Sequence, residues 1–157
     1  MVTILKNFIE ENIDLIEQKK WRDLYDLASV HIPFQIGNLT TNLMYAGVNP
    51  LDDLEVVLPE MFSNSMLQKI ELPVQISVIK RQAFKNCYEL KEITLPPALI
   101  RIDDQAFNDC YDLHTIKYSG TMKHLRTSFP NWEHFSKSFY DCATNFIHCA
   151  DGDVELL

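Results

Sequence analysis

The motif Ala-Phe-x-x-Cys-Tyr-x-Leu is written twice in this chain, as "AFKNCYEL" at 83–90 and "AFNDCYDL" at 106–113. The two copies lie 23 residues apart, and the same shift aligns much more than the octet. Leu67 falls on Leu90 and Leu113, Ile70 on Ile93 and Ile116, and Leu72 on Leu95 and Tyr118. Pro73 falls on Pro96, Ile76 on Leu99 and Ile79 on Ile102. A fixed stride of apolar positions restricts the fold severely. One such unit cannot bury its own apolar side, so the units must stack on one another.

A period in the twenties that opens on L-x-x-I-x-L is a leucine-rich-repeat signature. Each unit supplies a short strand and then returns. Equivalent strands lie side by side and parallel, about 4.8 Å apart. The apolar positions point inward. The alanine is small because the chain turns tightly there, and each phenylalanine stacks on the next. The cysteine is small and apolar, yet its thiol is a weak donor to nearby backbone carbonyls. The octet therefore reads as a packing unit rather than a reaction centre.

"LPVQISVIKRQAFKNCYELKEITLP" resembles the BspA-type leucine-rich repeat, with Leu72, Pro73, Ile76, Ile79, Ala83, Phe84, Cys87, Leu90 and Ile93 in place. The resemblance covers 67–118. "MFSNSMLQKIELP" is similar to a shortened entry into it. "IKYSGTMKHL", "NWEHF" and "IHCADGDVEL" are similar to the family's closing segment, with Leu125 near a position where the family often has tryptophan. Lys80 and Asp103 stand where the family often has glycine, which implies a wider turn there.

The chain before the repeats reads as three or four short amphipathic helices over roughly 2–62. Leu5, Ile9, Ile13 and Ile16 form one stripe, Trp21, Leu24, Tyr25 and Ala28 a second, and Ile36, Leu39 and Leu43 a third. Gly47 sits where a C-terminal cap belongs. Asn49-Pro50, followed by Asp52 and Asp53, marks another helix start. The expected fold class is α+β: an N-terminal helical cap (1–62), a short leucine-rich-repeat solenoid with a parallel sheet (63–118), and an irregular C-terminal cap (119–157). Two full repeats and a partial third are too few to stand alone, so both flanking regions are expected to cover open ends.

Charge and composition exclude several functions. The net charge is −8, and residues 1–66 carry four Lys/Arg against ten Asp/Glu. That balance argues against direct nucleic-acid binding. Only four glycines are present and no phosphate-binding glycine pattern occurs, so no cofactor is expected. The apolar runs are too short to span a membrane. The first dozen residues make a poor signal peptide, so a cytoplasmic location is expected, with free thiols. His134, Cys142, His148 and Cys149 do not match common zinc spacing, and no metal site is expected. A Cys–His nucleophilic pair from Cys142 or Cys149 with His134 lacks a local signature, and Asp103-Asp104 is not a catalytic pair merely by adjacency. No enzymatic activity is expected. The aromatic stretch Phe129, Trp132, Phe135, Phe139 and Tyr140 reads as packing of the C-terminal cap.

The remaining surface is the polar side of the repeated strands. Lys69 and Glu71, Glu92 and Thr94, then His114, Thr115 and Lys117 form a lattice of mixed sign, with Lys69 beside Glu92. A face of this kind binds other proteins in repeat arrays. The leading expectation is a non-catalytic protein–protein interaction module that uses these residues. The alternative is a small phage-type inhibitor that blocks a host enzyme or defence complex, since similar repeats occur in phage. Its acidic helical residues Asp14, Glu17, Asp52 and Asp53 would then dock on a basic target.

Overall fold

The computed structural model describes residues 2–156. It is a mixed helix-and-strand fold built on two parallel ladders of strands. Helices α1 (Val2–Glu11), α2 (Ile13–Glu17), α3 (Trp21–His31) and α4 (Ile36–Tyr45) come first, followed by a 3-10 turn at Pro50–Asp53. Strands β1 (Val56–Val57), β3 (Val78–Ile79) and β5 (Arg101–Ile102) form a three-stranded parallel sheet. Strands β2 (Lys69–Glu71), β4 (Glu92–Leu95) and β6 (Thr115–Tyr118) form a second, which β7 (Phe146–Cys149) and β8 (Gly152–Glu155) extend to five strands. Helices α5 (Met122–Ser128) and α6 (Trp132–Lys137) lie between β6 and β7 in the chain. Buried apolar side chains from Leu5 to Leu156 form one continuous cluster.

The register follows the repeat. Ile70 pairs with Ile93, Ile93 with Ile116, and Leu95 with Tyr118. In the other sheet Ile79 pairs with both Val57 and Ile102. The inward rings stack as a column: Phe62 on Phe84 at 5.0 Å, Phe84 on Phe107 at 5.1 Å, and Phe107 on Phe139 at 5.0 Å. Beside them run the cysteines. The Cys87 thiol donates to the Phe62 carbonyl and the Cys110 thiol to the Phe84 carbonyl, both at 3.0 Å. The second position of the octet is thus a stacking group, and the fifth satisfies a buried carbonyl that would otherwise be costly.

The turn around the octet forms a ladder of its own. The N–H groups of Glu60, Phe62 and Asn64 donate to the carbonyls of Arg81, Ala83 and Lys85, and those of Gln82, Phe84 and Asn86 to Asp104, Ala106 and Asn108. The first and last residue of each triplet adopts positive φ: Glu60 and Asn64, Gln82 and Asn86, Gln105 and Asp109, all near +60°. Asparagine and aspartate tolerate this region, and glutamate and glutamine do so less readily. Cross-rung backbone bonds hold Glu60 and Gln82 in place, and Gln82 Nε2 donates to Gln105 Oε1 at 2.9 Å.

Several sequence expectations are corrected. The stripe Leu5, Ile9, Ile13, Ile16 does not lie on one helix. Asn12 breaks it with its side chain on the Phe8 carbonyl, so Phe8 is buried and Ile13 is exposed. The helical region does not reach 62. Asn49 caps as expected, accepting from the Leu51 N–H, but it starts only one 3-10 turn, and the β-branched Val56 and Val57 enter the short sheet. Lys80 and Asp103 do not open the turn. Their N–H groups donate to Val57 and Ile79 carbonyls at 3.0 and 2.9 Å, and the positive-φ positions are Gln82 and Gln105. The C-terminal region is regular, with two capped helices and an antiparallel hairpin. Phe129, Phe135 and Phe139 are buried there and Trp132 partly so, but Tyr140 is exposed, because Phe139 takes the inward position of its rung.

The expectations for α3 and α4 hold. Trp21, Leu24, Tyr25, Ala28, Ile36, Leu39 and Leu43 are all buried. Gly47 ends α4 at φ +88°, with the Val48 N–H donating back to the Leu43 carbonyl at 2.9 Å. These helices sit directly on the first rung. The Thr40 hydroxyl donates to the Met61 carbonyl at 2.5 Å and accepts from the Tyr25 hydroxyl at 2.5 Å.

Candidate functional site

Strand alternation places Ile70, Ile93 and Ile116 inward, and therefore turns Lys69 and Glu71, Glu92 and Thr94, Thr115 and Lys117 to the outer face of the five-stranded sheet. In-register pairing arranges them in rows: Lys69–Glu92–Thr115 and Glu71–Thr94–Lys117. The second row runs on through His148 of β7 to Asp153 of β8. His114 lies just outside the rows, before β6, where its Nδ1 is 2.9 Å from the Thr115 hydroxyl oxygen.

Glu92 is the electrostatic centre of this face. Its Oε1 lies 3.7 Å from Lys69 Nζ, the pair expected from the sequence, and 2.6 Å from Lys117 Nζ, a diagonal partner on the third strand. The Lys117 hydrogen bond, more than either lysine's charge, holds the Glu92 carboxyl below the usual carboxylate range. A depressed folded-state pKa means that the attraction is present above the unfolded-state value and is lost as pH falls through the folded value. A carboxyl-detected NMR titration of Glu92 is expected to show this low midpoint, and Lys117→Met is expected to move it upward. An unchanged midpoint in that variant would remove Lys117 as the cause.

At the far end His148 Nδ1 meets Asp153 Oδ1 at 2.8 Å. Sequence reasoning did not place these two on the face. They are brought there by a hairpin whose two turn residues are Ala150 and Asp151, with Gly152 at positive φ opening β8.

The acidic helical residues are distributed differently. Asp14 and Glu17 are exposed on α2, and Asp52 is exposed on the 3-10 turn. Asp53 has a structural role: it accepts from Trp21 Nε1 at 3.1 Å and lies 3.8 Å from Lys19 Nζ. That engagement reduces the negative field expected of the group.

Of the cysteine and histidine candidates only His148 lies on this face. Cys142 stands three residues after Phe139, as Cys110 does after Phe107, and so belongs to a further rung. Burial, aided by the Asp141 charge, pushes its thiol up to about 12. His148 and Cys149 are on β7, and His134 is on α6. Among the described residues no group of three or more His, Cys, Asp and Glu side chains is arranged to hold a metal ion, and no helix is long and apolar enough to cross a membrane.

Parallel strands in 23-residue register, with stacked phenylalanines behind them, define a leucine-rich-repeat protein. The family model described as BspA type leucine rich repeat region (6 copies) matches residues 44–144, and the chain belongs to that family. The match is wider than the 67–118 legible in the sequence. No curated protein matches the chain. Among solved structures it is similar to a leucine rich cell surface protein from Faecalibacterium prausnitzii A2-165, at 29% identity and a TM-score of 0.44. That likeness covers 46% of this chain and 19% of the other.

Proposed function

We propose that the stacked repeats form a short solenoid whose outer sheet face binds another protein without catalysing a reaction. The observation that carries this reading is the in-register polar lattice centred on Glu92, held between Lys69 and Lys117 on a face turned away from the core. Lys69, Glu71, Glu92, Thr94, Thr115 and Lys117 supply the contact, with His114 at its margin. A partner carrying the complementary charge pattern would meet a preordered surface and lose little side-chain freedom on binding. Burial beside Asp141 disfavours the Cys142 thiolate that a nucleophile would need. Cys87 and Cys110 act as hydrogen-bond donors and need to stay reduced, which suits the cytoplasm.

The test is the triple variant Lys69→Glu, Glu92→Lys, Lys117→Glu. It keeps both ion pairs while inverting the field the face presents, so stability is expected to change by less than about 1 kcal/mol. Affinity capture with quantitative mass spectrometry is expected to recover a partner with the native chain and lose it with the variant. A partner retained by all three reversals would place binding on another surface.

A further inference from the structure

Two large aromatic side chains remain on the surface at equivalent repeat positions. Tyr88 and Tyr111 are 57% and 58% exposed, their ring centroids are 6.4 Å apart, and their planes differ by 17°. Each directly follows a buried cysteine of the inner column, so the backbone on both sides is fixed while the ring stands free. Neither ring contributes to the core, and the fold does not explain why the position is aromatic twice.

The surroundings of Tyr111 are acidic. Its hydroxyl donates to Asp109 Oδ1 at 2.5 Å, and Asp141 Oδ2 accepts from the Asp109 N–H at 3.0 Å. The Asp109 hydrogen bond and charge, with Asp141 behind them, push the phenol up to about 12, so the ring stays neutral and electron-rich at physiological pH. Glu89 and Asp112, each next to a tyrosine in the chain, are exposed. The positive charges nearby in sequence are Lys85 and Lys91, both on the Tyr88 rung.

We infer that Tyr88 and Tyr111 form an aromatic ridge that takes arginine side chains of an extended partner segment, in the pattern Arg-x-Arg. Alternate side chains of an extended chain are about 6.6 Å apart, which matches the ring separation. A guanidinium stacks flat on an aromatic face and keeps its edge N–H groups for carboxylates, which an ammonium cannot do in the same way. At Tyr111 the edge donors reach Asp109 and Asp141. At Tyr88 the lysines make the site weaker, so the Tyr111 position dominates. The ridge borders the start of the outer strands and deepens the protein-binding reading by naming the chemistry of the partner, but it does not depend on the Glu92 lattice.

The experiment is a titration of the full chain with three synthetic peptides, acetyl-Gly-Arg-Ser-Arg-Gly-amide and its Lys-x-Lys and Glu-x-Glu counterparts, followed by the NMR ring resonances of Tyr88 and Tyr111. The Arg-x-Arg peptide is expected to shift both rings with a dissociation constant on the order of 1 mM, and the lysine peptide to bind several-fold more weakly. Tyr111→Leu and Asp109→Asn are each expected to weaken the arginine peptide about tenfold, asparagine being tolerated at positive φ. The proposal is overturned if the rings do not respond, if the glutamate peptide responds equally, or if neither substitution changes the affinity. Because the readout is at the rings, it is unaffected by reversing Lys69, Glu92 and Lys117. Failure of the strand-face reading and failure of the ridge are therefore separate results.

Discussion

Replacing Gly37 by alanine is expected to destabilise the protein by roughly 3–5 kcal/mol, at the upper end for a single methyl group. An ideal Cβ at this position would lie 2.1 Å from the Ser63 carbonyl oxygen and 2.9 Å from the Phe62 carbonyl carbon. Both obstacles are backbone, and that backbone belongs to the first rung of the phenylalanine column. Neither can rotate away as a side chain would. Helix α4 would have to lift off, stretching the bond from Thr40 to the Met61 carbonyl and stranding the Tyr25 hydroxyl behind it. Urea denaturation of Gly37→Ala beside Thr40→Val separates the two contributions, since the valine removes the hydrogen bond without the collision. A Gly37→Ala midpoint within error of the native one would mean that the helix and the first rung do not touch as described.

The second large effect belongs to the column itself. Phe84→Ala is expected to cost roughly 3–5 kcal/mol, the range for emptying a buried aromatic site. Phe84 stacks on both Phe62 and Phe107 and has no solvent exposure, so its neighbours cannot collapse into the gap without breaking strand register on either side. Tyr88→Ala, four residues on but exposed, is expected to change stability by well under about 1 kcal/mol. The contrast within one octet separates the packing position from the surface position. Equal midpoints for the two variants would leave the stacked column without an energetic role.

Much of this architecture is legible in the sequence because packing in a ladder is periodic. Ile70, Ile93 and Ile116 lie in line in the sheet as they do in the alignment, and the Lys69–Glu92 pair follows from register alone. The ends are less legible, and each for a physical reason. Phe139 and Cys142 continue the column 32 residues after Phe107 and Cys110, because α5 and α6 are inserted within the unit and defeat a search at constant shift. The first rung has Ser65 in place of cysteine, its hydroxyl 3.6 Å from the Cys87 sulfur, and it is one residue shorter. The Asn49-Pro50 start signal is real but local. It cannot reveal that Val56 and Val57 then find strand partners more than twenty residues away. The candidate face was legible along β2, β4 and β6, where alternation decides which side chains point outward. Its extension to His148 and Asp153 depends on a hairpin joining the sheet, and the engagement of Asp53 by Trp21 depends on tertiary approach.

The carboxylate of Asp141 has a consequence for how the last unit is joined to the array. In the first two rungs Asn64 and Asn86 give their N–H groups to the main chain of the next repeat, whereas the equivalent Asp109 gives its own to a side chain. The main-chain ladder of the turns therefore stops at Asp109 while the ring column runs on to Phe139, so the last unit is fastened by a side chain and by stacking instead of by a repeated main-chain bond. A carboxylate can reach its donor from more than one backbone position, which lets this unit accommodate the inserted α5 and α6 without leaving the Asp109 N–H unpaired.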